Sequence, residues 1–199
     1  KTLVLDRGKS LEHRYYKTEG KPPWEMEFRG RIPEQELAED FPVNRHCYAL
    51  SDYTKHYFLK DNDMPYVQDE PFNWFRSDTV GGKSLLWARQ SYRWNKMDFE
   101  ANAKDGHGVD WPIRYEDIEP WYDYIEPFVG ISGSKENLSV LPDGKFMKAQ
   151  PLNVAEREIK EKVETAFPGR KLIPARVAHL TEPQEVHYKL GRGQCQARN

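Results

Sequence analysis

Apolar side chains recur at helical spacing in two stretches of the chain. In residues 115–129 they fall three and four positions apart, and Gly130 follows. In residues 153–167 the same spacing begins behind Asn153, with Glu156 three residues later as in a capping box. Both stretches are therefore predicted to be amphipathic helices. The apolar positions of the first stretch are Ile118, Trp121, Tyr122, Ile125, Phe128 and Val129.

Three shorter stretches also favour helix. Residues 33–40 begin with a proline, which suits a first helical turn. Residues 97–105 stop at a glycine, and residues 84–90 form an apolar, helix-compatible run, SLLWARQ. We expect a short helix in each of them.

Two apolar runs predict strands. Residues 2–5 form a continuous run of the kind found in fully buried parallel strands, and residues 171–180 alternate or cluster apolar side chains. Between these runs, residues 9–75 are polar, rich in aromatic side chains and without a sustained period. An irregular segment of that length in a compact domain is usually functional, so we predict a lid loop over a ligand.

Composition and charge exclude several classes of protein. The 30 basic and 32 acidic residues balance, which gives no electrostatic footprint for nucleic acid or an anionic membrane. No apolar run approaches the roughly 20 residues that span a bilayer. Two distant cysteines make no disulfide framework, so we expect a reducing, cytoplasmic location. Six Trp and eleven Tyr suit a ligand-lined interior or sugar stacking, although ordinary core packing accounts for most such rings.

Both ends of the sequence have the character of internal segments. The chain begins in an apolar run without an initiator Met, and it stops in a loop-like stretch, GRGQCQARN. We therefore expect it to be part of a longer protein.

The glycine pair Gly81–Gly82 marks the first candidate site. Paired glycines let backbone N–H groups approach a ligand closely, and a helix N-terminus directly behind them attracts an anion. The pair is preceded by Thr79 and Val80 and followed by Lys83 and Ser84. This arrangement predicts a site for a phosphate-bearing cofactor.

Asp6 marks a second candidate position. A buried strand that ends in an acidic residue is typical of a dinucleotide-binding βαβ unit, in which the carboxylate accepts hydrogen bonds from a ribose hydroxyl. Many surface strands also end in Asp, so the residue alone leaves both interpretations open.

A nucleotide-hydrolysing phosphate loop is an alternative for the glycine pair. Gly82, Lys83 and Ser84 match the end of G-x-x-x-x-G-K-[ST]. The first glycine of that motif would fall at Ser77, where the pattern fails. A second alternative is a non-enzymatic carbohydrate-binding module built on exposed aromatic side chains.

Five blocks, in this order and spacing, closely resemble the glucose–methanol–choline (GMC) family of flavoprotein oxidoreductases. The blocks are KTLVLDRG, TVGGKSLLW, DWPIRYEDIEPWYDYIEPFVGISG, ARVAHL and GRGQCQARN. They are most similar to the branch that contains pyranose oxidases, gluconate dehydrogenases and glucoside 3-dehydrogenases. The resemblance extends over essentially the whole chain and implies that FAD is the cofactor.

The resemblance also implies roles for individual residues. Asp6 matches the acidic residue that holds the adenosine ribose, and Val177 matches the strand residue whose backbone reads the adenine. Leu86 stands where pyranose oxidase-like members have a histidine joined covalently to FAD, so FAD is expected to be non-covalent here. The family's second flavin motif corresponds to Thr79, Val80, Gly81, Gly82, Lys83 and Ser84. The residues expected against the flavin ring are Leu86, Trp87 and Ala88.

The implied reaction is oxidation of an alcohol group of a sugar or related polyol. A base takes the hydroxyl proton, hydride passes from carbon to flavin N5, and a second electron acceptor reoxidises the flavin. The family's catalytic histidine lies in a C-terminal part that this chain does not contain, so no catalytic residue is assigned. The six histidines present are interpreted as surface or structural residues: His13, His46, His56, His107, His179 and His187.

The expected fold is α/β with mixed α+β character. It comprises an incomplete Rossmann-type FAD-binding domain in residues 1–95, without its first βα turn, and a helical segment in 96–170 that leads into a GMC substrate-binding domain. Residues 171–199 are expected to return to the FAD domain. No metal site is assigned, although Cys195 is a candidate iron–sulfur ligand, with a free thiol as the alternative.

Overall fold

The computed structural model describes residues 2–12 and 21–195. The chain forms two compact units, Lys1–Ala88 and Arg89–Asn199. The predicted segment boundaries at residues 95 and 170, and the Rossmann-type arrangement, stay predictions.

The described part of the first unit contains a short α-helix, several 3-10 turns and a small aromatic core. Its α-helix, α1 (Glu34–Asp40), begins behind Pro33 and confirms the short helix predicted there. Phe41, Tyr57 and Phe58 are buried together. Among the described residues of this unit, the short 3-10 segments are Pro23–Glu25, Glu27–Gly30, Asn44–His46, Lys55–Tyr57, Asp61–Asp63 and Gly82–Leu85.

A buried polar pair joins the turns of the first unit. The Asn44 amide nitrogen donates to the Asp61 carboxylate at 2.9 Å and to the Leu59 carbonyl at 2.8 Å. The same carboxylate accepts the backbone N–H groups of Val43 and Asn44. The irregular backbone is therefore held by side-chain acceptors in place of a sheet. The irregular character predicted for residues 9–75 agrees with the turns of the described part, while the lid role stays a prediction.

The helix predicted for residues 84–90 is wrong. Only a four-residue 3-10 turn, Gly82–Leu85, forms there. Leu85 and Leu86 pack against the Phe41–Tyr57–Phe58 core, and Arg89 adopts a left-handed φ of 61° that ends any helix. Packing of the two leucines has overridden the local helical preference.

The buried strand predicted for residues 2–5 is also wrong. Leu3 is 82% exposed, and this run has no strand partner within the described residues. A strand forms only when its N–H and C=O groups are paired with a neighbour, so the apolar run by itself does not suffice.

The second unit holds four α-helices within its described residues. They are α2 (Lys96–Asp105), α3 (Tyr115–Val129), α4 (Val154–Ala166) and α5 (Glu185–Lys189). The helices predicted for residues 97–105, 115–129 and 153–167 are confirmed, and Asn153 and Glu156 form the predicted capping box. The sequence interpretation did not anticipate α5.

A short parallel pair of strands and single bridges connect these helices. Strand β1 (Ser132–Gly133) pairs with β2 (Met147–Lys148). Val177 bridges to Ser132 and to Gln90, but residues 171–180 form no strand, so the strand predicted there is wrong. Pro174 has no N–H to donate to a ladder, and within residues 171–180 the bridges form at Val177 alone.

A buried ionic cluster lies within the second unit. The Arg93 guanidinium, with its side chain 2% exposed, donates to Glu126 at 2.6 and 2.8 Å and to Asp123 at 2.6 Å. Burial opposes the charged form of Arg93, but its bonds to Glu126 and Asp123 outweigh that effect and raise its pKa. Helix α3 therefore buries a carboxylate, while Trp121 and Phe128 of its predicted apolar stripe remain exposed.

Replacing Arg93 by Met tests how much this cluster supports the second unit. The variant leaves the Glu126 charge buried without its cation, and loss of one partner of a buried pair costs about 3–5 kcal/mol. We expect urea unfolding to show a loss of stability of that size. Lys162→Met, which removes an exposed pair with Glu158, is the control and is expected to cost less than about 1 kcal/mol. Equal losses in the two variants would contradict a supporting role for the cluster.

Candidate cofactor site

The glycine pair forms a tight turn in the first unit. Gly81 and Gly82 have φ values of 94° and 53°, in the left-handed region that favours glycine. The Gly82 N–H donates to the Thr79 carbonyl at 2.7 Å, and the Ser84 hydroxyl donates to the Gly81 carbonyl at 2.5 Å. Because the turn leads into a four-residue 3-10 segment, the predicted α-helix N-terminus behind the glycines is absent from this position.

The N-terminal segment pairs in parallel with the residues that lead into this turn, and the two backbones lie very close together. Lys9 and Thr79 form a parallel bridge, in which the Val80 N–H donates to the Lys9 carbonyl at 3.0 Å. A Cβ at Gly8 would lie 2.3 Å from the Thr79 carbonyl carbon, closer than any real contact. Glycine is therefore required at position 8 for the two backbones to meet.

The Asp6 carboxylate links the two segments directly. One oxygen accepts the Gly8 N–H at 2.7 Å, and the other accepts the Gly81 N–H at 2.9 Å. These hydrogen bonds from Gly8 and Gly81 lower the pKa of Asp6. The structure thus brings together Asp6 and the glycine pair, which are 75 residues apart in the chain.

The other predicted residues of this unit surround the turn in different ways. Thr79 is buried and shares a hydrogen bond with the Ser77 hydroxyl, whereas Val80 and Lys83 are exposed. Leu86 is half-buried against the aromatic core. Trp87 and Ala88 are exposed.

Val177 lies in the second unit with its backbone engaged. Its N–H donates to the Ser132 carbonyl at 3.1 Å, and its carbonyl accepts the Ser132 N–H at 2.9 Å. Val177 belongs to the second unit, and the Asp6–Gly81 contact belongs to the first. Its predicted role at the adenine stays a prediction.

The histidines within the described residues include one that is clearly structural. His187 is fully buried, accepts the Gln184 N–H at Nδ1, and is 2.8 Å from the Pro127 carbonyl through Nε2. Since Nδ1 accepts, Nε2 carries the proton and donates, which fastens α5 to α3. His46 and His107 are exposed, and His56 and His179 are half-buried. His13 lies outside the described residues.

No cluster of three or more His, Cys, Asp or Glu residues suited to a metal occurs in the described part of the chain. Cys195 is exposed with a free thiol. The described residues also contain no helix long and apolar enough to cross a membrane. The cytoplasmic location stays a prediction.

Sequence reasoning missed a cavity in the second unit. It has a volume of about 490 Å³ and lies between α2, α3 and the loop that follows β1. Tyr115 is one of its lining residues, and the Tyr115 hydroxyl is 3.3 Å from both the Arg93 guanidinium and the Glu119 carboxylate. Burial raises the pKa of Tyr115, so its hydroxyl stays protonated at neutral pH. Only the i, i+4 spacing of Tyr115 and Glu119 on a predicted helix hinted that they share a face.

Curated relatives of the chain are named as dehydrogenases and an oxidase. The chain is 36% identical over 58 residues to 2-methyl-1,2-propanediol dehydrogenase of Mycolicibacterium austroafricanum, an alignment that covers 28% of this chain and 10% of the relative. It is 27% identical over 125 residues to the fructose dehydrogenase large subunit of Gluconobacter japonicus, an alignment that covers 60% of this chain and 22% of the relative. It is 31% identical over 71 residues to paromamine 6'-oxidase of Streptomyces fradiae, an alignment that covers 34% of this chain and 13% of the relative.

These alignments span no more than 22% of the length of each of these relatives. No family model matches the sequence. The chain is therefore similar to parts of alcohol and sugar oxidoreductases, at low identity.

The close approach of Gly8 to Thr79 generates a test of the site. In Gly8→Ala the new methyl group collides with backbone atoms, which cannot move aside as a flexible side chain would. Overpacking of this kind costs about 1–3 kcal/mol, so we expect a lower free energy of unfolding and faster hydrogen exchange at the Val80 N–H. Gly193→Ala, at a position with open space, is the control. Wild-type exchange at Val80 in Gly8→Ala would show that the pairing of the two segments does not depend on glycine at position 8.

Proposed function

We propose that this chain is part of an FAD-dependent oxidoreductase of the GMC family that oxidises an alcohol group of a sugar or related polyol. The observation that carries the proposal is the Asp6–Gly81 contact, because it joins the two sequence blocks assigned to the dinucleotide. The names of the relatives, which are dehydrogenases and an oxidase, support the reaction class.

The polar groups of the site suit the adenosine end of such a cofactor. The Asp6 side chain is exposed, and its carboxylate oxygens keep lone pairs beyond those used by Gly8 and Gly81, so it can accept hydrogen bonds from ribose hydroxyls. At Gly82 an added Cβ would meet nothing within 4 Å, which leaves room for close approach of a ligand.

The diphosphate is less well provided for by the same turn. The Gly81 N–H is bonded to Asp6 and the Gly82 N–H to Thr79, so neither points to a ligand in this conformation. Lys83 is exposed and is the cation of the turn that we assign to the diphosphate. When bound, FAD would supply the hydride acceptor, and this chain's residues would hold the cofactor.

The alternative functions have less support. A nucleotide-hydrolysing phosphate loop needs an α-helix behind Gly82–Lys83–Ser84, and a 3-10 turn stands there. A carbohydrate-binding module needs flat, open aromatic faces. Trp94 and Trp111 are partly exposed, but they pack edge to face with each other and with the buried ring of Phe99.

Purification of the full-length protein tests the cofactor. We expect a visible flavin absorption band and, after acid precipitation, all of the flavin in the supernatant, because Leu86 has no nucleophilic atom to form a covalent link. A colourless protein would contradict the proposal. Flavin retained in the precipitate would contradict non-covalent binding alone.

Anaerobic mixing with candidate substrates tests the reaction. A sugar or polyol that is oxidised should bleach the flavin band without any added electron acceptor. The per-O-methylated form of the same sugar, which has no free hydroxyl group to oxidise, is the matched control. Bleaching by both compounds would contradict alcohol oxidation, as would no bleaching by any of a broad panel of sugars and polyols.

A further inference from the structure

The Asp6 carboxylate accepts the Gly81 N–H, a backbone group for which the glycine turn itself provides no acceptor. Gly81 stands at the start of the 3-10 turn with a left-handed φ, and its N–H is directed to Asp6 and not to an earlier carbonyl. The following N–H, that of Gly82, is satisfied by Thr79. Asp6 therefore completes the hydrogen bonding of the glycine turn.

Asp6 is itself fixed in place by its own segment. Its second oxygen accepts the Gly8 N–H, and Gly8 lies against Thr79 at a distance that only glycine permits. The carboxylate is thus anchored on one side and bonded to the glycine turn on the other. Charged neighbours along the two segments are Arg7, Lys9, Asp78 and Lys83, of which Arg7 and Asp78 are 3.6 Å apart.

We propose that Asp6 is a positioning residue, which sets the conformation of the Gly81–Gly82 turn through its bond to the Gly81 N–H. The same carboxylate can also contact a ribose, through the oxygen lone pairs that the N–H groups of Gly8 and Gly81 do not use. Only the consequence for FAD rests on the proposed function. The consequence for the turn concerns the protein without any ligand.

Residue-resolved hydrogen exchange on the ligand-free protein tests the positioning role. In Asp6→Ala the Gly81 N–H loses its acceptor, so we expect its exchange to be at least about ten times faster, while exchange at Gly82 and Val80 stays within about twofold of wild type. Asp6→Asn keeps one acceptor oxygen and should restore part of the protection. Asp78→Asn makes the same change of charge on the neighbouring segment and should leave Gly81 unchanged.

Each pattern of exchange decides the question. Wild-type exchange at Gly81 in Asp6→Ala overturns the proposal. Equal acceleration at Gly81, Gly82 and Val80 also overturns it, because Asp6 would then contribute only to the general stability of the unit. Selective acceleration at Gly81, with partial rescue by Asp6→Asn, supports it.

Binding measurements separate positioning from ribose contact. If Asp6 positions the turn, Asp6→Ala should weaken FAD binding at least about tenfold, with Asp6→Asn between it and wild type. Weakened FAD binding together with wild-type exchange at Gly81 would assign Asp6 to the ribose alone and overturn the proposal. If the wild-type protein binds no FAD, the proposed function fails, and the exchange result still decides the role of Asp6 in the turn.

Discussion

A backbone N–H that a turn leaves unpaired must find another acceptor, and at Gly81 that acceptor is a carboxylate 75 residues earlier in the chain. The arrangement of the candidate site depends on this bond. It requires Asp6 to be held by Gly8, and it requires the backbones at Gly8 and Thr79 to meet at a distance that excludes any side chain at position 8. Backbone pairing of Lys9 with Asp78 and Val80 joins the same two segments independently of this bond.

In both units a buried carboxylate accepts hydrogen bonds from backbone N–H groups outside regular helix or sheet pairing. In the first, Asp61 accepts the N–H groups at the start of a 3-10 turn, and Asn44 ties that turn to Leu59. In the second, Glu126 accepts both the Arg93 guanidinium and the Lys145 N–H. Buried charges of this kind stabilise only when every partner is present, which makes each cluster sensitive to single substitutions.

The glycine turn differs from the simple picture of a phosphate cradle. Paired glycines before a helix usually present free N–H groups to an anion, but here the N–H groups of Gly81 and Gly82 are occupied within the chain. Asp6, by contrast, is exposed and has acceptor capacity to spare. The hydrogen bond from the Gly81 N–H to the Asp6 carboxylate is a feature that the sequence motif does not reveal.

The sequence by itself determined the elements whose causes are local. The bounds of α3 and the capping box of Asn153 and Glu156 follow from side chains within a few residues of one another. Only the tertiary structure decided which neighbours each segment meets. Residues 2–5 have a strand's composition but no pairing partner among the described residues, and residues 84–90 lose their helix because Leu85 and Leu86 pack on a core formed by residues far away in sequence. Long-range pairing of this kind, including the bond from Asp6 to Gly81, leaves no periodic signal in the sequence, because its energy arises only when distant segments come together.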